Sequence, residues 1–218
     1  MEFETSSIKT WRRIRNDIVT GQLKPGEKLT RRTLAKSYGV SAITILEALH
    51  RLESDGLVES QPMYGTRVRA LTHDVFVGEQ VMREALECQA ARLCAVNLND
   101  DTVLRELQTL ADALDKTMGV HGSEEARQKH AEFHIRIASV SGVSVLVEEI
   151  EKIFLRSFMW ATWRSAQRIK TPEGWHNTLL QELKSGDPDR AEAAMRIHVS
   201  YHSEVLIELL EKGEFEVN

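Results

Sequence analysis

A chain of 218 residues with 42% hydrophobic and 28% charged side chains has the composition of an ordinary globular protein of one sizeable domain or two small ones. It has no apolar run long enough to cross a bilayer and no apolar signal core near Met1, so we expect neither a membrane-spanning segment nor a signal peptide. Residues 1–70 carry 12 Lys/Arg against 8 Asp/Glu, a net of +4, whereas the remainder carries 16 against 25, a net of −9. A small basic piece joined to a larger acidic one suits a DNA reader carried by a domain that does not touch DNA.

The two cysteines, Cys88 and Cys94, lie on different faces of one predicted helix. They are therefore poorly placed to form a disulfide with each other. We expect two buried thiols and a reducing, cytosolic environment.

The first predicted element is a helix over residues 7–20, because apolar side chains recur there at helical spacing. Arginines flank this apolar face, and Gly21 follows as a stop signal. We expect Trp11, on the same helix, to anchor a hydrophobic core. This helix precedes the most informative stretch of the chain.

The stretch from Pro25 to Arg69 predicts two helices and a hairpin. The first helix stops at Gly39, where glycine tolerates a positive φ, and Ser41 then caps a second helix with apolar residues at spacings of three and four. Two extended pieces, 57–60 and 66–69, flank a turn that contains proline and glycine. A helix-turn-helix followed by a two-stranded wing is a DNA-reading device whose second helix enters the major groove.

This segment resembles the winged helix of GntR-family bacterial transcription regulators, and the resemblance implies binding to a double-stranded DNA operator. Several independent matches in a fixed order are a more specific signal than a lone glycine motif. The matching residues are Gly21, Leu23, Pro25, Gly26, Leu34, Ala35, Gly39, Val40, Ser41, Glu47, Ala48, Leu49, Arg51, Leu52, Glu53, Gly56, Leu57, Val58 and Gly65.

One departure from the family pattern concerns the second helix. The family usually has two arginines where this chain has Ala42 and Leu46. Because arginine is the usual bidentate reader of guanine, we expect either an operator unlike the common one or weaker binding. The candidate DNA contacts that remain are Arg31, Arg32, Ser41, Thr44, Arg51, Gly65, Arg67 and Arg69.

Beyond residue 70 the sequence predicts helices only, with neither a strand nor an internal repeat. The predicted fold is mainly α, with a winged helix-turn-helix domain over 1–70 and an antiparallel all-helical bundle over 71–218. The six predicted helices cover about 74–96, from 99–101 to near 119, 123–140, 144–167, 171–186 and 187–213.

Histidines are placed unevenly in this second half. His130 and His134 are four apart and so lie on one helix face; His198 and His202 repeat this spacing, and His176 lies near the start of the preceding helix. Imidazoles from different helices of a bundle can bind a divalent transition metal. By spacing alone, however, such pairs are more often surface or core histidines without a metal.

The helical half resembles the FCD ligand-sensing domain of the FadR subfamily of these regulators. Many members of its metal-binding branch hold a divalent ion with one Asp and three His, and by position those histidines are His134, His176 and His198. The position of the Asp is occupied by His130, a change that favours Zn²⁺ or Ni²⁺ over harder ions. The pieces that match are Arg83, Glu87, Phe133, His134, Ser141, Gly142, His176, Gly186, Asp187, Ala191, Met195 and His198.

The other histidines receive lesser roles. His202 is a further candidate ligand if one of the four does not bind, but we expect it to lie on the surface. His50 and His73 are interpreted as non-metal positions, and His121 as part of a loop.

In sensors of this kind the effector is typically a small organic acid near the metal, so Arg83 is a candidate clamp for its carboxylate. The alternative is that Arg83 and Glu87, four residues apart, form an ion pair on the helix surface. We expect Trp160, Trp163 and Trp175 to pack in the core rather than to line the pocket.

The leading hypothesis is a homodimeric transcription regulator whose operator affinity changes when the effector binds. A metal-dependent hydrolase is disfavoured, because Glu132 lies one position later than the base of an HExxH motif. Three variants of the regulator hypothesis stay open: a structural metal or a response to the metal itself, an acyl-type ligand in a metal-free bundle, and loss of specific DNA binding.

Overall fold

The computed structural model describes residues 5–116, 124–163 and 172–211 of the chain. These residues are predominantly helical, with one small antiparallel sheet, as the sequence predicts. No helix within the described ranges is both long and apolar enough to span a membrane.

The described residues fall into two compact units. The winged unit comprises residues 5–72 together with Leu155–Trp163, and the helical unit comprises residues 73–154 and 172–211. Each unit has buried apolar side chains of its own.

Three helices form most of the winged unit: α1 over Ser6–Val19, α2 over Arg31–Tyr38 and α3 over Ala42–Ser54. Gly39 ends α2 in the left-handed conformation (φ 69°), which a residue with a Cβ rarely adopts, and so makes the tight turn into α3. Helix α1 begins and ends one residue earlier than predicted. Each helix starts after a hydroxyl side chain that accepts a hydrogen bond from the backbone N–H three residues later, and these residues are Thr5, Thr30 and Ser41.

The sheet contains three strands, β1 (Lys28–Leu29), β2 (Val58–Gln61) and β3 (Gly65–Val68), in the antiparallel order β1-β3-β2. Strands β2 and β3 form the predicted wing, each displaced by one residue from the prediction. The third strand, β1, was not predicted from the sequence. A strand of two residues has no alternating pattern of its own, and β1 exists only because it pairs with β3.

The core of the winged unit lies where α1 packs against α3. Ile14, Ile45 and Leu52 are fully buried there. Half-buried Trp11 joins the two helices, because its indole N–H donates to Asp55 Oδ2 at 2.7 Å. The guanidinium of Arg51 also lies over its ring, at 4.7 Å from the centroid. Trp11 therefore anchors the core as predicted.

Beyond residue 72 the described residues form six helices, as predicted, and the last part of the fourth, Leu155–Trp163, belongs to the winged unit. The start predicted for α8 near 171–172 is wrong. Gly174 adopts a left-handed conformation (φ 65°) directly before the helix, which begins only at Trp175. The ends predicted near 119, 167 and 213 lie outside the described residues. The helices are α4 His73–Asn97, α5 Asp101–Lys116, α6 Glu124–Val140, α7 Ser144–Trp163, α8 Trp175–Lys184 and α9 Pro188–Glu211.

Helix α4 forms the centre of the helical unit, packing along α9 and against α6, while α5 packs on α6 and α8. Leu107, Phe133 and Leu180 are fully buried between these helices. Cys88 and Cys94 are buried free thiols, which confirms the prediction. Burial raises the pKa of the Cys94 thiol to about 12, so this thiol is uncharged.

Candidate functional site

Four histidines from three helices meet inside the helical unit: His130 and His134 on α6, His176 on α8 and His198 on α9. Neighbouring rings have centroids 4.5–6.1 Å apart. His134, His176 and His198 are buried, whereas His130 is half-buried. The fold thus brings together all four residues that the sequence predicts as metal ligands. We call them the histidine cluster.

Three of these side chains can offer nitrogens to one ion. One ring nitrogen each from His130, His176 and His198 lies within 4.8 Å of the other two. Two nitrogens bound to the same zinc ion lie at most about 4.2 Å apart, since each Zn–N bond is about 2.1 Å long. Small side-chain rotations would therefore bring the three nitrogens to coordination distance, so the residues fit such an ion.

The fourth histidine, His134, lies beside this group. Its Nε2 is 3.2 Å from Nε2 of His130, and its Nδ1 lies against Oε2 of Glu87. A carboxylate next to Nδ1 favours a proton on that nitrogen, which leaves a lone pair on Nε2 directed towards His130. The 3.2 Å contact is a hydrogen bond between the two rings, and their tautomers determine which Nε2 donates.

A second carboxylate holds His176 in a similar way. Oδ1 of Asp115, on α5, accepts from Nδ1 of His176 at 2.8 Å and from the backbone N–H of the same residue at 3.0 Å. Burial acts to raise the pKa of Asp115, but its hydrogen bonds from His176 and Asn177 outweigh this and lower it. The aspartate thus stays ionised and directs Nε2 of His176 away from α5, towards the cluster.

Glu87 also binds Arg83. Nε of Arg83 donates to Oε1 of Glu87 at 2.5 Å, and the arginine is only 9% exposed. Burial acts to raise the pKa of Glu87, but the charges of Arg83 and His134 outweigh it and lower the pKa to about 2. The i, i+4 pair considered from the sequence exists, but its placement on the helix surface is wrong, because both side chains are buried.

Aromatic side chains enclose the cluster. Phe154 lies 5.3 Å from the ring of His134, and the Arg83 guanidinium lies 4.9 Å from the same phenyl centroid. Trp175 stacks on His198 at 5.2 Å with nearly parallel rings. Burial, followed by the charges of His134 and Arg83, holds the pKa of His130 well below its usual 6.5. His130 is therefore neutral, as a metal-binding imidazole must be.

The remaining candidates are placed as follows. Trp160 is buried, whereas Trp175 is half-buried and lines a groove between α8 and α9. His73 is half exposed, close to Asp74. The side chains of Trp163 and His202, and the whole of His121, lie outside the described residues.

Sequence reasoning missed Asp115. It lies on α5 among several other acidic residues, and no motif in the sequence sets it apart. Only the packing of α5 on α8 reveals its role. Glu87 was recognised as a partner of Arg83, but its contact with His134 requires the packing of α4 on α6.

The predicted DNA contacts lie in the winged unit. Arg31 and Arg32, at the start of α2, line a hollow of about 800 Å³ together with Lys28 of β1 and Gly65 of the wing. Ala42 and Leu46 of α3 line the same hollow, and we call it the α2–α3 hollow.

The other predicted contacts have partners within the unit. Ser41 caps α3 and shares a hydrogen bond with Thr44 at 2.8 Å. Arg51 is stacked over Trp11, and Arg67 donates to the carbonyl of Gly26 at 3.1 Å. Their contact with DNA stays a prediction.

Two family models match the chain in regions that correspond to these two sites. A model described as bacterial regulatory proteins, gntR family, matches residues 9–68, and a model described as FCD domain matches residues 80–201.

Named relatives are similar over nearly the whole chain. The uncharacterized HTH-type transcriptional regulator YdhC of Bacillus subtilis is 26% identical, with 95% of this chain and 93% of the relative covered. The HTH-type transcriptional repressor GlaR of Escherichia coli is also 26% identical, with 89% and 92% covered. Among solved structures, McbR/YncC of E. coli has a TM-score of 0.75 at 22% identity, covering 95% of this chain and all of that one. A likeness at that identity concerns the fold.

Proposed function

Because the chain belongs to the GntR family of bacterial regulatory proteins and carries an FCD domain, we propose that a small organic acid controls its binding to DNA from a site at the histidine cluster. The chain is a DNA-binding transcription regulator, not an enzyme, and its relatives named above are regulators as well. In this proposal a divalent metal, Zn²⁺ or Ni²⁺, sits in the cluster and the acid binds beside it.

One observation carries the proposal. Nitrogens of His130, His176 and His198 converge within 4.8 Å in the interior of a helical unit whose surroundings are largely apolar. Carboxylates behind His134 and His176 orient their rings as the outer partners of metal-bound imidazoles do. A stabilising core has no need of such an arrangement, because buried polar groups weaken a fold unless all of them have partners.

The donor set supports the choice of metal. The four side chains of the histidine cluster offer ring nitrogens as ligands, and the cluster contains no carboxylate. Imidazole suits Zn²⁺ and Ni²⁺, whereas Mg²⁺ and Ca²⁺ prefer oxygen ligands. When bound, such an ion supplies an exchangeable position for an oxygen of the effector.

Arg83 is the proposed partner for the carboxylate of the effector. Among the described residues, Glu87 is its one side-chain acceptor, and that bond uses only Nε of the guanidinium. The guanidinium borders the cluster through Phe154, which also faces His130 and His134. A small carboxylate could therefore contact the guanidinium and the metal at once. A large acyl group would not need both of these contacts in order to bind.

Regulation requires that the effector distinguish two states of the protein. A ligand with equal affinity for both arrangements would shift nothing. We propose a homodimer that places two winged units on two half-sites of a symmetric operator, since dimeric helix-turn-helix proteins read DNA in this way. The effector would then favour one arrangement of the two winged units of the dimer over another.

The test begins with metal analysis of the full chain after incubation with Zn²⁺ or Ni²⁺ and removal of excess ion. We expect about one ion per chain, lost in His176→Ala and in His198→Ala but kept in the matched control His73→Ala. Asp115→Asn keeps every ligand but removes the carboxylate behind His176, so its metal affinity should fall about 10- to 100-fold. Absence of bound metal in the wild type, or its retention in both cluster variants, would overturn the metal site.

The second step measures operator binding with a panel of small carboxylic acids, with and without metal. We expect an effective acid to change operator affinity about 5- to 150-fold, and the change to vanish in Arg83→Met. If chelation unfolds the helical unit, the metal is structural. If acids act equally well on metal-free protein, the acyl-type alternative gains support.

A further inference from the structure

The exposed face at the start of α3, the helix that a winged helix-turn-helix inserts into the major groove, carries no lysine or arginine. Ala42, Ile43, Glu47 and His50 are exposed, and Leu46 is half-buried on the same face. Ile43 is 70% exposed. Single exposed apolar side chains are common on protein surfaces, but here two of them lie together with half-buried Leu46 within the first five residues of the reading helix. The residues at the start of such a helix are those that contact base edges.

Basic residues lie beside part of this face. Lys28, Arg31 and Arg32 line the α2–α3 hollow together with Ala42 and Leu46. These cations suit DNA phosphates, which position a protein but carry no sequence information. The apolar face next to them would then meet the base edges. A DNA major groove, anionic at its rims and bearing bases at its floor, has the charge pattern complementary to this surface.

Only one group on the floor of the major groove is apolar, the 5-methyl group of thymine. We propose that Ala42, Ile43 and Leu46 read thymine methyl groups, so that each operator half-site carries thymines where the start of α3 meets the bases.

The inference rests on DNA binding and not on the metal or the effector, so the two sets of experiments fail independently. Its first test is selection from a random DNA library with the full chain, performed once with Zn²⁺ and once with a chelator. We expect thymine-rich half-sites arranged as an inverted repeat in at least one condition. Enrichment of guanine at the positions that face α3, or of no sequence in either condition, would overturn the proposal.

The second test removes only the methyl groups. Each thymine of the selected duplex is replaced in turn by uracil, which pairs identically but lacks the 5-methyl group. At positions that contact Ile43 or Leu46, we expect about fourfold weaker binding per methyl, the effect of withdrawing one buried methyl-sized group. At thymines outside the contact we expect no change. If uracil is tolerated at every position, the proposal is wrong.

Variants then assign each methyl to a side chain. In Ile43→Ala, the uracil penalty at the facing position should disappear while the penalties at other positions remain, because the group that senses the methyl is gone. Val145→Ala, which trims an equally exposed apolar residue of the helical unit, serves as the control and should leave every penalty unchanged. Should Ile43→Ala keep all penalties, and should Leu46→Ala keep them too, the thymines are read by another part of the protein.

Discussion

The winged unit and the helical unit place their functional residues in opposite ways. In the winged unit the candidates for DNA contact lie within one stretch, residues 25–69, and most of them are exposed. In the helical unit the histidine cluster and its partners come from five helices, α4, α5, α6, α8 and α9, and most of them are buried. An exposed reading face can change its specificity without disturbing the core beneath it. A buried site has no such freedom, because each of its side chains is also part of the core.

The physical reason is that the charged side chains of the two units differ in their exposure to water. Exposed charges on α2 and on the wing remain hydrated, so their removal affects the fold little. Arg83 and Glu87 are enclosed, and removal of either leaves the other charge without its partner in a region with little water. Substitutions of exposed residues in the winged unit should therefore change binding with little effect on stability. Substitutions in the buried site of the helical unit should change both.

The largest expected effect compares two glutamates, one from each unit. Glu87→Ala leaves Arg83 buried without its carboxylate and should lower the free energy of unfolding by about 3–5 kcal/mol. Glu47→Ala, on the exposed face of α3, should change it by less than about 0.5 kcal/mol. Urea denaturation of metal-free protein measures both. Equal effects of the two substitutions would mean that the Arg83–Glu87 pair is not enclosed in solution.

The next effect concerns pH and again involves the helical unit. His130 has a lowered pKa when folded, whereas in the unfolded chain it takes up a proton near its usual 6.5. As the pH falls below about 6.5, the unfolded state binds the extra proton and is favoured, so the free energy of unfolding decreases. This one residue should contribute a loss on the order of 1 kcal/mol between about pH 7.5 and 5.5.

The measurement is urea denaturation at both pH values in the presence of a chelator. His130→Gln removes the titrating group, so the variant should lose less free energy of unfolding than the wild type over the same interval, by an amount on the order of 1 kcal/mol. Identical pH dependence of the two proteins would show that His130 takes up its proton equally easily in the folded state.

The sequence predicts much of the winged unit because the signals there are local. Gly39 and Ser41 mark the turn and the start of α3 by their own conformational preferences, and the structure confirms both. Strand β1 could not be predicted, because its two residues become a strand only through pairing with β3. The start of α8 was misplaced for a related reason, since Pro172 is also compatible with the segment before a helix.

The histidine cluster could be predicted only in part. Spacing pairs His130 with His134 on one face of α6 and His198 with His202 on the last helix, whereas the choice of His134, His176 and His198 as ligands, with His130 in the position of the Asp, came from the resemblance to a known family. The pairing of Arg83 with Glu87 follows from spacing, but its burial follows from the packing of α9 and α6 on α4. Asp115 has no signal in the sequence, because its role depends on a contact between distant helices.

The smallest expected effect concerns Ser41, a predicted DNA contact that also caps α3. Ser41→Ala removes the acceptor for the Thr44 N–H and should lower the free energy of unfolding by about 1 kcal/mol. Ser41→Asn keeps a capping oxygen, so stability should return to within a few tenths of a kcal/mol of the wild type. Urea denaturation and operator titration of both variants give the answer.

The two measurements together show whether operator affinity and stability can be changed independently in the winged unit, as the exposure of its DNA-contact candidates suggests. If Ser41 only caps the helix, Ser41→Asn should bind the operator as the wild type does, because the start of α3 is restored. If Ser41 also contacts DNA, Ser41→Asn should be stable and yet bind less tightly, since the larger side chain changes the contact itself. If DNA binding weakens in Ser41→Ala and recovers in Ser41→Asn, then α3 reads DNA only when its first turn is capped. Even in the winged unit, an exposed DNA contact would then depend on a local element of the fold.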